Sequence, residues 1–344
     1  DTPTTEIYTL SLHDALPICV QQRESIRMAI IRKEAYFNSS TGKNKIHCMI
    51  WQDDAVKPIA LFQIAHGMSE HIERYDDFAC FLAGHGFIVC GNDHLGHGKS
   101  VNSLDDLGYM DDKNGHIRMV DDMHILHHIM HKRYPDLPYF LFGHSMGSFL
   151  SRSYAAHFGK ELAGAIFCGT GELPASLEGV VSAFDKVVDK IGPHANADLL
   201  FKIGNGVFNA QFKNPRTNVD WISTSEENLD RYLDDPLCGF NFKLGGTRDV
   251  VRILMEVSRK DWAQKVPQDL PIMLISGAKD SVGFNGRGVL AVSDNLELAG
   301  NEPTVILYPN DRHEILNEND HEKIYNDIMK WLDGVLAARE EQKA

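Results

Sequence analysis

Residues 139–147 read YFLFGHSMG, and this stretch limits the chain to few architectures. Its first four residues are apolar or aromatic, a short run of the kind that makes a buried parallel strand. Gly143-His144-Ser145-Met146-Gly147 follows at once, a G-x-S-x-G. The next residues, SFLSRSYAAHF, carry Phe149, Leu150, Tyr154 and Phe158 at helical spacing. Strand, sharp turn and helix is the setting in which this motif presents its serine as a nucleophile. Such a turn strains the serine backbone and brings chain close to chain, so small residues are wanted two before and two after it. Gly143 and Gly147 occupy those places. The helix start then directs N–H groups and a partial positive charge at the site, which suits a developing oxyanion.

The motif alone is weak evidence, and the rest of the chain must agree with it. Strand-like runs at 35–38 and 45–52 are joined by a turn-rich linker, and 58–65, 86–92, 164–169, 271–277 and 304–308 repeat the pattern. Helical periodicity appears at 76–84, 116–134, 247–258, 288–299 and 320–338. Strands alternating with helices predict an α/β fold, a mostly parallel sheet with helices on both faces. The alternation breaks at Thr170-Gly171 and does not resume until about residue 249. Val180, Val181, Phe184, Val187, Val188 and Ile191 mark an amphipathic helix there, and Leu199, Leu200, Ile203, Val207, Phe208 and Phe212 continue in the same style. A further short helix is expected over 226–233. We read 171–248 as a helical cap inserted over the catalytic end of the sheet, with 19–170 and 249–344 as the two parts of the core.

A serine hydroxyl needs a base, and the base needs an orienting carboxylate. The order serine, acid, histidine, with the last two on loops after late strands, is available once here. Asp280 lies just past the strand ending ISG, and His313 just past TVILY. Both are at carboxyl ends of parallel strands, where sites in open α/β sheets occur. Asp311 competes for the acid's place but is only two residues from His313. His66-Gly67-Met68 ends an earlier strand. Gly67 lets the backbone approach a substrate, and the N–H of Met68 would serve as an oxyanion donor beside that of Met146. Glu314 and Glu318 are read as structural.

Composition excludes several functions. The net charge of −14 argues against nucleic acid as a partner and against a polybasic membrane anchor. No apolar run reaches transmembrane length. The six cysteines show no metal-ligand spacing and suggest reduced, buried thiols in a cytoplasmic protein. His124, His127, His128 and His131 share one helix at spacings that can hold zinc, but no Cys and no H-E-x-x-H accompanies them, so we expect a packed or solvated histidine face and no metal. No cofactor is expected. Residues 1–18, DTPTTEIYTLSLHDALPI, lack a signal peptide's regions and closely resemble one reading frame of a sequencing adapter. We read them as an assembly artefact of metagenomic DNA, with the natural start at Met28 or a lost upstream codon.

With these residues in hand, the chain resembles the monoacylglycerol lipase and lysophospholipase branch of the α/β-hydrolases, a group often called serine aminopeptidase S33. The resemblance rests on 65–100 (AHGMSEHIERYDDFACFLAGHGFIVCGNDHLGHGKS), LPYFLFGHSMGSF, ISGAKDSVG and LYPNDRHEILNE. It implies Ser145, Asp280 and His313 as the triad and Met68 and Met146 as oxyanion donors. It also implies a cap acting as a lid that shapes an acyl pocket and touches membranes transiently, and a small single-chain lipid ester as substrate. The loop 93–100 and the group His71, Arg74 and Tyr75 look structural or alcohol-site forming. Two alternatives stay open. One is a peptidase of the same fold, which needs an acidic subsite for a free amine, with Glu172, Glu178, Glu226 and Glu227 available. The other is a binding protein that keeps the fold without the reaction.

Overall fold

The computed structural model describes residues 30–343, so the segment 1–18 and Cys19 lie outside the described residues. The strands are β1 (Ile31–Asn38), β2 (Lys45–Gln52), β3 (Ala60–Ala65), β4 (Phe87–Asn92), β5 (Tyr139–His144), β6 (Gly164–Cys168), β7 (Ile272–Gly277) and β8 (Thr304–Tyr308). The α-helices are α1 (Asp76–Gly84), α2 (Gly115–Arg133), α3 (Met146–Phe158), α4 (Glu178–Ile191), α5 (Asp198–Asn209), α6 (Glu226–Asp234), α7 (Leu244–Val257), α8 (Arg287–Leu298) and α9 (His321–Glu341).

All eight strands join one sheet in the order β1-β2-β4-β3-β5-β6-β7-β8. The pairs β1/β2 and β2/β4 are antiparallel and the rest parallel, as the alternation predicts. Strands β3 to β7 are buried along their whole length because helices cover both faces. Period-two alternation divides their side chains. Phe62, Phe140, Phe142 and Ile166 meet Phe78 and Leu82 of α1 and Ile324, Ile328 and Leu332 of α9. Leu61, Leu141, Ala165 and Leu274 meet Met123 of α2, Leu150 of α3, Ile253 of α7 and Val292 of α8. Each such fully buried Phe or Leu contributes roughly 1.5–3 kcal/mol to folding.

Strand β1 starts four residues before the expected boundary. Ile31 already pairs with Gln52, although 31–35 are mostly exposed and charged. An edge strand takes its order from backbone pairing and has no apolar alternation to read. Helix α7 likewise starts at Leu244, within the range read as cap. Its first turns face the core: Asp249 hydrogen-bonds His116 of α2 at 3.0 Å.

The chain passes from β3 to β4 on one side and returns to β5 on the other. Strand order therefore reverses between β3 and β5, the place in an open α/β sheet where the loops at the carboxyl ends diverge and ligands bind. The insertion between β6 and β7 carries α4, α5 and α6. Helices α4 and α5 leave Val180, Val187, Ile191, Leu199, Ile203 and Val207 largely exposed, Leu199 at 70% and Val207 at 66%. Cys48, Cys80, Cys90, Cys168 and Cys238 are all buried and free. Among the described residues no helix is long and apolar enough to cross a membrane.

Candidate active site

Ser145 sits between the last residue of β5 and the first of α3, at φ 53° and ψ −120°. A non-glycine residue in that conformation stores about 1–3 kcal/mol, so its surroundings must hold it. Its N–H donates to the Cys168 carbonyl at 2.9 Å, and its own carbonyl accepts from the Ser148 N–H at 2.8 Å. The turn needs both flanking glycines. A Cβ at Gly143 would strike the Gly147 carbonyl and Ser151 Oγ, and one at Gly147 would strike the Ala65 carbonyl. The residues wanted for a sharp turn are thus also the ones that let α3 close on β3.

His313 follows β8, and its Nδ1 lies 2.9 Å from Oδ2 of the fully buried Asp280, which follows β7. The other bonds of Asp280 come from Ser276 Oγ at 3.1 Å and the Val282 N–H at 2.8 Å. A carboxylate placed so fixes the proton on Nδ1 and leaves the Nε2 lone pair free to act as a base. The ring lies against Trp221, centroids 5.2 Å apart. On another side it meets Gly169, where an added Cβ would come 3.2 Å from His313 Cε1. Gly169 adjoins Cys168, whose carbonyl holds the Ser145 N–H, so the imidazole stands beside the serine turn. Among the described residues the ring's hydrogen bond is to Asp280, and none joins it to the serine hydroxyl. Such contacts often tighten only around a substrate.

Asp311, the competing acid, makes no hydrogen bond to the imidazole among the described residues. It is buried, its Oδ2 has no hydrogen-bond partner, and burial with Asp320 and Glu318 nearby raises it to about 7. The N–H groups of Met68 and Met146 have no acceptor among the described residues. They lie at the ends of the adjacent strands β3 and β5, whose register pairs Ala65 with Gly143. At Gly67 a Cβ would come 2.6 Å from Glu70 Oε1 and 3.2 Å from Ser145 Cβ, so the approach of these two loops requires glycine.

A buried polar network surrounds these groups. Glu70 Oε1 accepts from the Gly67 N–H at 2.5 Å and from Tyr75 Oη at 2.8 Å, and His144 Nδ1 stands 3.3 Å away. Arg74 bridges Glu70 at 2.7 Å to Glu314 at 2.6 Å. Asn228 of α6 donates to Glu314 at 2.8 Å and accepts from Arg74 at 3.1 Å. Burial by itself would raise Glu70, but His144 and Arg74 outweigh it and hold the carboxyl well below the usual range. Burial would lower His144, and the Glu70 bond overcomes that and raises it. Buried charges persist only where partners and hydrogen bonds satisfy them, and here each has several. Sequence reasoning placed Arg74 and Tyr75 as structural or alcohol-site forming and Glu314 as structural, but missed Glu70, His144, Asn228 and Trp221. A charge next to a serine motif was a readable hint for His144. Nothing local marks Asn228 or Trp221, which lie in the irregular insertion.

That insertion is bound to the loops after β3, β7 and β8. His71 meets Asp235 at 2.9 Å, and Ser69 Oγ donates to the Phe240 carbonyl at 2.8 Å. Ser281 Oγ donates to the Phe208 carbonyl at 2.7 Å, beside Asp280. The Glu314 N–H donates to the Ile222 carbonyl at 2.8 Å, beside His313.

The family described as serine aminopeptidase, S33, matches residues 56–320. The monoglyceride lipase of Homo sapiens is 26% identical over 83% of this chain and 86% of its own length. The monoacylglycerol lipase of Mycolicibacterium smegmatis is 24% identical over 82% of this chain and 91% of its own. A thermostable carboxyl esterase of Bacillus coagulans, solved with glycerol, superposes with a TM-score of 0.83 at 32% identity, covering 89% of this chain and 99% of that one.

Proposed function

The chain belongs to the serine aminopeptidase S33 family and is a carboxylic-ester hydrolase, and on that premise we propose that it cleaves single-chain lipid esters, monoacylglycerols or lysophospholipids, through an acyl-enzyme on Ser145. Ser145 Oγ attacks the ester carbonyl while His313 Nε2 takes its proton. Asp280 holds the Nδ1–H tautomer and stabilises the imidazolium. The N–H groups of Met68 and Met146, which have no acceptor among the described residues, receive the oxyanion. His313 then gives its proton to the leaving alcohol. Water repeats the sequence on the acyl-enzyme and releases the fatty acid. The observation that carries this reading is the Asp280–His313 pair standing beside the strained turn of Ser145.

The substrate class rests on the insertion 171–248, which we assign as the lid. Its helices α4 and α5 present exposed apolar stripes, and the end of α5 meets Ser281 beside Asp280, which suits an acyl chain and transient contact with a lipid surface. Of the four acids weighed for a peptidase's amine subsite, none stands buried and unpaired among the described residues. Glu172 is committed to Arg152 at 3.2 Å and to Asn295 at 2.9 Å. Glu178 pairs with Arg259 on the surface, and Glu226 and Glu227 are exposed in the first turn of α6.

The test is a matched panel: monoacylglycerols of rising chain length, a lysophosphatidylcholine and an N-terminal aminoacyl amide, with Ser145→Ala as control. Ester cleavage with an optimum chain length, absent in the variant, is expected. Amide cleavage without ester preference would replace the lipid reading with the peptidase one.

A further inference from the structure

The far end of α3 holds a ring cluster that ester hydrolysis does not use. His124 and His127 lie one turn apart on α2, and both direct Nδ1 at the hydroxyl of Tyr154 on α3, at 2.9 and 2.6 Å. Stacking fixes both rings. His127 lies flat on Tyr139, centroids 4.0 Å apart at 3°, and His124 on Phe158, 3.7 Å apart at 11°. With Nδ1 so committed, both Nε2 atoms face the carboxylate of Glu161, in the short turn after α3, at 3.9 and 3.6 Å.

Those separations are too long for direct hydrogen bonds. They are close to the donor–donor edge of a tetrahedral site, about 3.4 Å for metal bonds of about 2.1 Å. All three donor atoms lie within 4.8 Å of one another. A tyrosine hydroxyl oxygen can accept both Nδ1–H groups. A bound cation would select that tautomer pair, in which two imidazole lone pairs and a carboxylate turn to one point. Tyr154 also supplies the fixed partner for the second ring nitrogen that metal-bound histidines usually have.

We propose that His124, His127 and Glu161 bind a zinc-class divalent transition-metal ion that clamps α2 to the turn after α3. Imidazole donors select this class over calcium or magnesium, which take oxygen ligands. Water or the exposed His128, whose ring centroid is 4.2 Å from that of His124, completes the coordination. The ion is structural: Tyr154 is nine residues beyond Ser145, roughly 13 Å along the helix. The histidine spacing alone gives no such site, because the third donor comes from another part of the chain. The other mixed cluster among the described residues, His71, Asp235 and Cys238, is already closed by the direct His71–Asp235 hydrogen bond at 2.9 Å.

The experiment uses the tag-free full chain, stripped with chelator and titrated with zinc chloride by calorimetry and thermal unfolding. One ion per chain and a rise in Tm are expected. His124→Gln and Glu161→Gln should each weaken binding at least tenfold, with unchanged circular dichroism and unchanged hydrolysis of a soluble ester. Glu161 is exposed, so its variant tests the site without threatening the core. Cobalt(II) should give a visible ligand-field spectrum without a thiolate charge-transfer band. No zinc binding, full affinity in both variants, or a thiolate band that disappears in Cys238→Ser would each overturn the proposal.

Discussion

The imidazole of His144 meets the backbone carbonyl of His313 at 3.2 Å. The residue before the proposed nucleophile in sequence thus holds the loop that carries the proposed base. Its other nitrogen faces Glu70, which in turn accepts the N–H of Gly67 beside the proposed oxyanion donor Met68. One ring therefore couples the two loops that must keep register for the serine to react.

Replacing His144 by leucine keeps much of the volume and removes both contacts. His144→Leu is expected to lower kcat by about ten- to a hundredfold with KM little changed, the mark of lost positioning. Steady-state kinetics on a soluble short-chain ester decide it. A raised KM at full kcat would place His144 in substrate binding instead.

Ser145→Ala should reduce kcat by about four orders of magnitude or more while leaving the melting temperature nearly unchanged, because alanine fits the same backbone. Asp280→Asn should produce a loss of about ten-thousandfold by favouring the wrong imidazole tautomer. Near-normal turnover in either variant would remove that residue from the mechanism.

Asp311 gives a pH dependence of stability with a definite sign. Its folded value, about 7, lies above the ordinary 3.8, so between these the native state binds the proton that the unfolded chain has lost. Stability conferred by the protonated form is therefore full below pH ~4 and declines as pH rises toward ~7. Asp311→Asn, a neutral mimic, should raise Tm by a few degrees at pH 8 and by much less at pH 4.5. Thermal unfolding of both proteins at the two pH values tests this, and equal shifts at both would show that the carboxyl does not titrate as described.

The stripe on α5 offers a test of the proposed lipid-surface contact. Aspartate at Leu199, Ile203 and Val207 together should abolish sedimentation with neutral phosphatidylcholine vesicles and slow hydrolysis of vesicle-borne monoacylglycerol. Turnover of a water-soluble ester should stay within about twofold, since these side chains are exposed and make little of the core. Equal loss on both substrates would mean that the stripe supports the fold of the insertion rather than docking.

The sequence by itself determined the parallel strands, the helices that cover them, the serine turn and the chain order of Ser145, Asp280 and His313. These depend on local causes: period-two and 3.6-residue patterns, glycine where a Cβ would collide, and the ends of apolar runs. Tertiary structure decided what depends on groups distant in sequence. Asp280 was the acid expected to orient the imidazole and Asp311 the runner-up, and the packing of β7 beside β8 put Asp280 on His313 and left Asp311 buried without it. Asn228, Glu70 and Glu314 carry no local signature, yet Arg74 gathers all three. Charge state and hydrogen bonding follow from burial and partners across the fold, and neither is a property of a residue within its own segment.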